Sequence, residues 1–486
     1  MAQSKGAEPG VNQLHSNAVG LLAAIMLSAT IMGPAVSTYF NTQFTAINAG
    51  AALPFVYLVS LIAALIVANG VAEMARKLPA AGAFYTYVVR GVGPKAGFVT
   101  GTLMFLGYSL LEPAELALIG YWISNVLLRF GYDVSWLIIA AIFWVTTFVL
   151  SIRGIKISME SALIAFGIEV GVILVLCVLV LGKGGAEGIN LKPFDPGQSP
   201  TGLSGIALGM VFGILSFVGF EGAATLGEEV DNPRVNVPRA IFGATLLVGV
   251  IYLFATWAET LGFGVSTISV LQNDAAPFDT LAKTYSPDWF RVFVDIAGAS
   301  SMFGVMISAH NGITRIIYAM GRERLLPTSL GMISKYGTPQ NAIIVQSVGS
   351  MILAVILGLA VGPFNTYGYL GTILTLGIIP VYILVNLAVI RYFRSHYANE
   401  FNVIKHLILP VLGILLMAIP IYGLVGTNPA WPYNLFPYLV VIYIVIAFAI
   451  AVWLERNRPT ELREAGKILG AEYDVADEAA PSVAGA

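Results

Sequence analysis

The stretch FVGFEGAATLGEEVDNPRVNVPRAI, Phe217 to Ile241, puts a charge where an apolar run would otherwise continue. Apolar sequence from Gly202 leads into Gly219-Phe220-Glu221, and a short apolar turn then gives way to Glu228-Glu229, Asn232-Pro233 and Pro238-Arg239. Read as a membrane helix, the segment is interrupted midway by an ionisable side chain. A residue of that kind at that depth costs about 2.5 to 3.5 kcal/mol on insertion scales, so its presence points to function.

Composition supplies the membrane. Of 486 residues, 57% are apolar and only 11% are charged, more apolar surface than a soluble globule of this length can bury. A net charge of −2 gives no reason to expect nucleic acid as a partner. Cys177 is the single cysteine, which excludes an internal disulfide and any cysteine-based metal site. The first sixteen residues are polar, and the apolar stretch that follows is too long, and lacks the small-residue exit, for a cleaved signal peptide.

A bilayer core of about 30 Å takes roughly 20 apolar residues per helix. On that rule the chain is expected to be an all-α integral membrane protein with twelve transmembrane helices, near 17–47, 51–75, 96–127, 135–152, 159–182, 204–230, 238–262, 290–319, 341–361, 366–390, 405–425 and 435–454. Lys and Arg set the orientation: with the amino terminus inside, twenty of the 25 fall on the cytoplasmic side and only Arg129, Lys183, Lys192, Lys283 and Arg291 fall outside. The bias runs through the successive loops, so it also checks the span count. Residues 1–16 then form a cytoplasmic segment and 455–486 a polar cytoplasmic tail of a multi-pass plasma-membrane protein.

The first span carries Met32-Gly33-Pro34 in its middle and the sixth carries Val218-Gly219-Phe220. An odd spacing between two interrupted helices makes the second enter the membrane from the opposite side. The expectation is a five-plus-five inverted repeat, 17–182 and 204–390, with two added helices over 405–454. Unwound backbone in lipid costs several kcal/mol per bare N–H or C=O, so such breaks belong around a polar cavity.

Three stretches resemble the amino acid, polyamine and organocation permeases, whose fold is the one described in the sodium-coupled leucine transporter. AEMARKLPAAGAFYTYVVRGVG (Ala72 to Gly93) is similar to the family's Glu, Pro-x-x-Gly and Tyr-x-Tyr segment after span two. GFEGAATLGEEVDNPRVNVPRAI matches its most recognisable motif, and TRIIYAMGRERLLP (Thr314 to Pro327) looks like its segment at the end of span eight. The resemblance covers both halves of a ten-helix core and implies a transporter, with little to say on its substrate. One departure stands out. The family commonly has a glycine-rich turn in the first helix, whereas Pro34 has no N–H to offer a substrate carboxylate. The amides of Gly33, Ala35 and Val36, beside Met32, remain as candidates for an anionic group at the start of the second half-helix.

Four carboxylates complete the candidate site. Glu112 and Glu115 lie three apart in span three, on one helix face, and are expected to bind a substrate ammonium or a proton. Glu169 in span five is a coupling candidate, for H⁺ or for Na⁺ with first-span carbonyls and a hydroxyl of Ser300, Ser301 or Ser308. Glu221, flanked by Phe217 and Phe220, is expected to act in substrate binding, gating or proton coupling, the aromatic faces suiting a cation. Tyr108 is a further substrate-binding candidate, with Tyr367 and Tyr369 weaker ones. Glu73, Glu228, Glu229 and Asp231 with Arg76, Arg234 and Arg239 are expected to form a cytoplasmic ion-pair frame, joined by Arg315, Arg322 and Arg324 when the inner gate shuts. Asp295 and Glu259 are expected to be solvated near outer helix ends.

The sequence holds no phosphate-binding loop, nucleophile elbow or histidine spacing for a metal, so a pump or an enzyme has no chemistry to use, and no cofactor or obligatory protein partner is expected. A secondary transporter of a small molecule, or a channel or sensor-like receptor on the same scaffold, are the readings left. Within the first, a zwitterionic amino acid and a cationic amine or polyamine remain open, as do uniport, symport and exchange.

Overall fold

The computed structural model describes residues 19–79, 82–154, 159–225, 230–322 and 326–458. It is all-helical, and among the described residues the only β-type pairing is an isolated parallel bridge between Val19 and Val230. The chain opens with α1 (Leu21–Ile31), α2 (Pro34–Val36), a π-turn (Ser37–Asn41), α3 (Thr42–Ala49) and α4 (Leu53–Lys77). It continues through α5 (Ala83–Gly91), α6 (Pro94–Arg129), α7 (Trp136–Ile152), α8 (Met159–Gly182), α9 (Leu203–Leu215) and α10 (Gly222–Thr225). The rest comprises α11 (Pro233–Phe263), α12 (Ser269–Asn273), α13 (Pro277–Tyr285), α14 (Asp288–Arg322), α15 (Gln340–Val361), α16 (Pro363–His396), α17 (Leu409–Gly426) and α18 (Phe436–Asn457). Among the described residues nine helical stretches are long and apolar enough to cross a membrane, and α7 and α9 are shorter apolar helices.

Local chemistry explains several of these boundaries. Gly33, Gly93 and Gly362 all adopt positive φ, and each is followed by proline at the first position of the next helix. Glycine takes the left-handed conformation without a Cβ clash, and proline loses nothing where no N–H partner exists. The interruption inside the first predicted span is thus made with the same two residues that separate whole helices elsewhere.

The outer helices show their apolar side outward. Ile142 and Val145 on α7, Ile352 and Ile356 on α15, and Val441, Val445 and Phe448 on α18 are exposed, a surface suited to lipid. The apolar stretch of α6 is largely buried, and it packs against α14 and α16. Helix α4 lies along α11, and α1 runs beside α11 as well.

One close approach places the site. Gly205, Gly209 and Gly213 recur every fourth residue along α9, a small-residue face that lets helix backbones approach closely in a membrane. A Cβ on Gly205 would stand 2.5 Å from the Asn48 carbonyl oxygen, and one on Gly209 would stand 3.2 Å from both Ala49 Cβ and Thr45 Cγ2. Gly213 faces Ser60 of α4 in the same way. Three glycines therefore seat α9 on α3 and α4, beside the interrupted first helix.

Helices α5, α12 and α13 were not foreseen as separate elements. Helix α13 is held by ion pairs: Asp279 accepts from Arg129 Nη1 at 2.5 Å and from Arg291 Nε at 2.8 Å. Arg129 also bonds Asp295, which is buried and not solvated as expected. Glu259 is likewise buried, its Oε1 accepting from Thr42 Oγ1 at 3.2 Å. In both cases the partner comes from a distant helix, so a position near a helix end did not mean contact with water. Gly209→Ile is expected to force α9 off α3 and lower stability by about 1–3 kcal/mol, read as an earlier thermal transition of the detergent-purified protein, whereas Gly209→Ala should shift it far less.

Candidate functional site

The first interruption is short. Helix α1 ends at Ile31, Gly33 turns left-handed at φ 56°, and Pro34 starts the next turn. The Gly33 amide donates back to Thr30 O at 3.1 Å and the Val36 amide donates to Ser301 Oγ of α14 at 3.3 Å. The Ala35 amide and the hydroxyls of Ser300 and Ser301 face the carboxylate of buried Glu169 on α8. Two of the three amides thought available to an anion are therefore hydrogen-bonded within the protein, and the third faces a carboxylate.

The second interruption is longer than the three residues marked in the sequence. From Ser216 to Glu221 the chain follows tight turns, with Phe217 N–H donating to Ile214 O at 2.9 Å and Phe220 N–H to Phe217 O at 3.1 Å. Gly219 sits at φ 108°, where a side chain is strained, and a Cβ there would also stand 3.1 Å from Ile31 Cβ. The Ala223 amide donates to Ser28 Oγ of α1 at 2.7 Å. The two interruptions thus touch one another directly.

A hydroxyl from a third helix ties them. Tyr252 on α11 reaches the Met32 carbonyl at 2.8 Å and the Ser216 carbonyl at 3.0 Å, one proton shared by the ends of both half-helices. Each carbonyl has lost its helical partner, and in a buried setting an unmet carbonyl is costly. Ser37 Oγ adds a second bond to Met32 O at 3.0 Å. Ser216 is also a junction, since its Oγ lies 2.9 Å from Tyr57 OH and accepts from Asn41 Nδ2 at 3.0 Å. Asn41 in turn accepts from Tyr367 OH at 2.7 Å.

Glu221 stands in the second interruption. Its Oε1 accepts from Tyr108 OH at 2.5 Å, and its Oε2 accepts from the Gly219 amide at 3.1 Å and from Tyr382 OH at 3.4 Å. Phe220 packs on Tyr382 with ring centroids 5.5 Å apart, and Phe84 meets the same tyrosine edge-on at 5.8 Å. Phe217 turns to Tyr252 instead, at 5.4 Å. Tyr108, Glu221 and Phe220 are thus brought together as the sequence suggested. Tyr369 stacks edge-on with Tyr433, apart from these contacts.

Glu112 is bound elsewhere. Its Oε2 accepts from Ser350 Oγ at 2.8 Å and Gln346 Nε2 at 3.0 Å, and lies 3.0 Å from His310 Nδ1, all on α14 and α15. The next residue, Pro113, has no N–H for the Ser109 carbonyl four residues earlier, and Gln346 Nε2 reaches that carbonyl at 3.2 Å. The arrangement looks after a proline-interrupted helix and a buried carboxylate at once. Glu115 is buried too, and its Oε2 has no hydrogen-bond partner among the described residues. The two glutamates thus have different surroundings.

The proposed ion-pair frame appears in part. Glu73 lies 3.6 Å from Arg76, 3.5 Å from Lys405 and 3.3 Å from His406 Nε2. The Asn402 amide donates to His406 Nδ1 at 3.0 Å, which leaves the proton on Nε2 to point at Glu73. Arg234 and Arg239 line the same cleft. The Asp231 amide bonds Val19 O at 2.9 Å, and Arg322 lies over the Tyr318 ring. Glu228, Glu229 and Arg324 lie outside the described residues.

Sequence reasoning passed over Tyr252, Ser216, Asn41, Ser28, Tyr382 and His310. A signal existed for some of them: Ser37, Asn41 and Thr45 repeat every four residues within a span expected to cross the membrane, a polar stripe that has to face protein. Tyr252 and His310 gave no such sign, because their roles rest on contacts between helices far apart in the chain.

Two interrupted helices meeting among buried polar side chains are the architecture of a membrane permease. The sequence model of the family described as Amino acid permease matches residues 23–462, and the chain belongs to that family of multi-pass membrane transporters. It is similar to the low-affinity putrescine importer PlaP of Escherichia coli (strain K12), 26% identical over 375 residues, which cover 75% of this chain and 79% of the importer. The branched-chain amino acid permease BcaP of Lactococcus lactis subsp. cremoris (strain MG1363) is 24% identical over 420 residues, covering 81% of this chain and 87% of that permease. The aromatic amino acid transport protein AroP of Escherichia coli (strain K12) is 22% identical over 373 residues, 75% of this chain and 79% of that protein.

Two substitutions probe this geometry. Tyr252→Phe removes one hydroxyl from two carbonyls and is expected to cost about 1–3 kcal/mol and to impair transport more than expression, measured by uptake per mole of reconstituted protein. His310→Ala removes one hydrogen-bond partner from a buried carboxyl group and is expected to lower stability by about 1–3 kcal/mol, read by thermal unfolding, with His310→Gln recovering part of the loss.

Proposed function

We propose that the protein is a secondary active transporter that moves an amino acid or an organic amine across the plasma membrane by alternating access. The observation that carries this reading is the contact between the two helix interruptions, with Tyr252 holding both loose ends. A hinge of two half-helices, tied by a few hydrogen bonds, can rearrange about a central ligand without unpacking the long helices around it. The putrescine importer and the amino acid permeases among the relatives support the substrate class.

The nine stretches and two shorter helices amount to twelve spans once the turn at Gly50–Ala52 divides the first stretch. Interruptions in spans one and six fit a five-plus-five inverted repeat, with α17 and α18 added outside it. Both termini are assigned to the cytoplasm by the distribution of Lys and Arg.

Glu169 is the proposed coupling group, because it faces Ser300, Ser301 and the Ala35 amide where the first helix is interrupted. A carboxylate there takes up a proton from one side and releases it on the other as the half-helices move. The same oxygens suit Na⁺, so the coupling ion is decided by the driving gradient. Reconstituted protein is expected to accumulate substrate saturably when the outside is acidified, to lose accumulation on adding a protonophore, and to show counterflow. Flux without saturation or counterflow would overturn the transporter reading; accumulation driven by a Na⁺ gradient alone would overturn proton coupling. Glu169→Gln is expected to retain counterflow while losing accumulation against a gradient, assayed in the same vesicles.

A further inference from the structure

We infer that the substrate is an amine without a carboxylate, its ammonium lodged against Glu221 and the rings around it; the inference rests on the transporter reading and narrows its ligand. The argument is an accounting of hydrogen-bond donors at the two interruptions. A buried carboxylate needs hydrogen-bond donors or a cation, and backbone amides freed by an interruption are the donors the family's fold would offer. In the first interruption Pro34 has no N–H, the Gly33 amide is held by Thr30 O, the Val36 amide by Ser301 Oγ and the Ala35 amide faces Glu169. In the second the Gly219 amide is held by Glu221, the Phe220 amide by Phe217 O and the Ala223 amide by Ser28 Oγ. No Lys or Arg occurs between Gly20 and Ala75 or between Ser199 and Pro233, so neither interrupted segment carries a cation of its own.

The opposite charge is well provided for. Among the described residues the one side chain that donates to Glu221 Oε1 is Tyr108, and the oxygen has a second lone pair for a further donor. The donors on Glu221, two phenols and one amide, are neutral, so its negative charge is met by no cation among the described residues. Phe220, the preceding residue, and Tyr382, which bonds Glu221, pack on one another, and Phe84 lies against Tyr382, so aromatic rings gather at this carboxylate. A carboxylate backed by neutral donors and flanked by aromatic rings suits an alkylammonium, which gains both ion pairing and cation–π attraction. Admitting an α-amino acid would also bury a second negative charge near Glu221, where neither interrupted segment carries a cation and the amides named above are turned to other acceptors.

The test uses pairs that differ only in the carboxylate: cadaverine with lysine, agmatine with arginine, phenethylamine with phenylalanine. Binding to the purified full-length protein is read by thermal shift and titration calorimetry, and transport by uptake and counterflow in vesicles. The expected result is that the amine of at least one pair binds on the order of 100-fold more tightly than its amino acid, and that Glu221→Gln abolishes that preference while Glu221→Asp retains part of it. Tyr108→Phe, which leaves the charge in place, should weaken the amine without reversing the order. An amino acid that binds as well as its amine in all three pairs overturns the inference, as does amine binding unchanged in Glu221→Gln. Amine binding without saturable uptake or counterflow upholds the ligand class and overturns the transporter reading instead.

Discussion

The structure depends on one requirement: backbone groups released by breaking a helix inside the membrane must be met by something other than water. The shared hydroxyl of Tyr252 is where this requirement is most concentrated, since it serves the last carbonyls of two half-helices that come from distant parts of the chain. The Ser28 hydroxyl on the Ala223 amide and the Ser301 hydroxyl on the Val36 amide do the same for donors. In each case the partner is a neutral hydroxyl that can be exchanged for another at little cost. Interruptions secured in this way are held firmly in one arrangement and are not locked to it by charge.

The carboxylates divide according to their surroundings. Glu221 and Glu169 lie at the interruptions and are met by hydroxyls and amides. Glu112 lies in the interface of α6, α14 and α15, where His310, Gln346 and Ser350 converge on one of its oxygens. Gln346 serves both the carboxylate and the carbonyl freed by Pro113, so a single amide links a helix distortion to a buried charge. A carboxylate so surrounded fixes three long helices relative to each other. The carboxylates at the interruptions and the one that ties long helices together are thus set apart within one membrane core.

Much of this was legible in the sequence, for identifiable reasons. Helix placement follows from apolar run length, because a bilayer fixes how much chain must cross it. Gly33-Pro34 and Gly219-Phe220-Glu221 announced their interruptions because glycine and proline carry conformational preferences wherever they occur. The association of Glu169 with Ser300 and Ser301 was also anticipated. What failed was inference from depth alone: Asp295 and Glu259, assigned to water by their place near helix ends, are buried against Arg129 and Thr42. Glu112 and Glu115, three apart on α6, meet different neighbours, because each residue of a helix face packs on its own part of the surrounding helices.

By itself the sequence determined that this is a helical membrane protein with two interrupted helices and buried carboxylates, because hydropathy, glycine, proline and charge act locally and survive without knowledge of the fold. Only the tertiary structure decided which donors remain for a ligand. The amides of Gly33, Ala35 and Val36 looked open in the chain, yet Gly33 turns back to Thr30 O, Val36 bonds a serine 265 residues away and Ala35 faces a carboxylate on another helix. Hydrogen bonding is short-ranged and directional, so whether a donor is free depends on the helix that packs beside it, and for Val36 and Ala35 those helices, α14 and α8, come from distant parts of the chain.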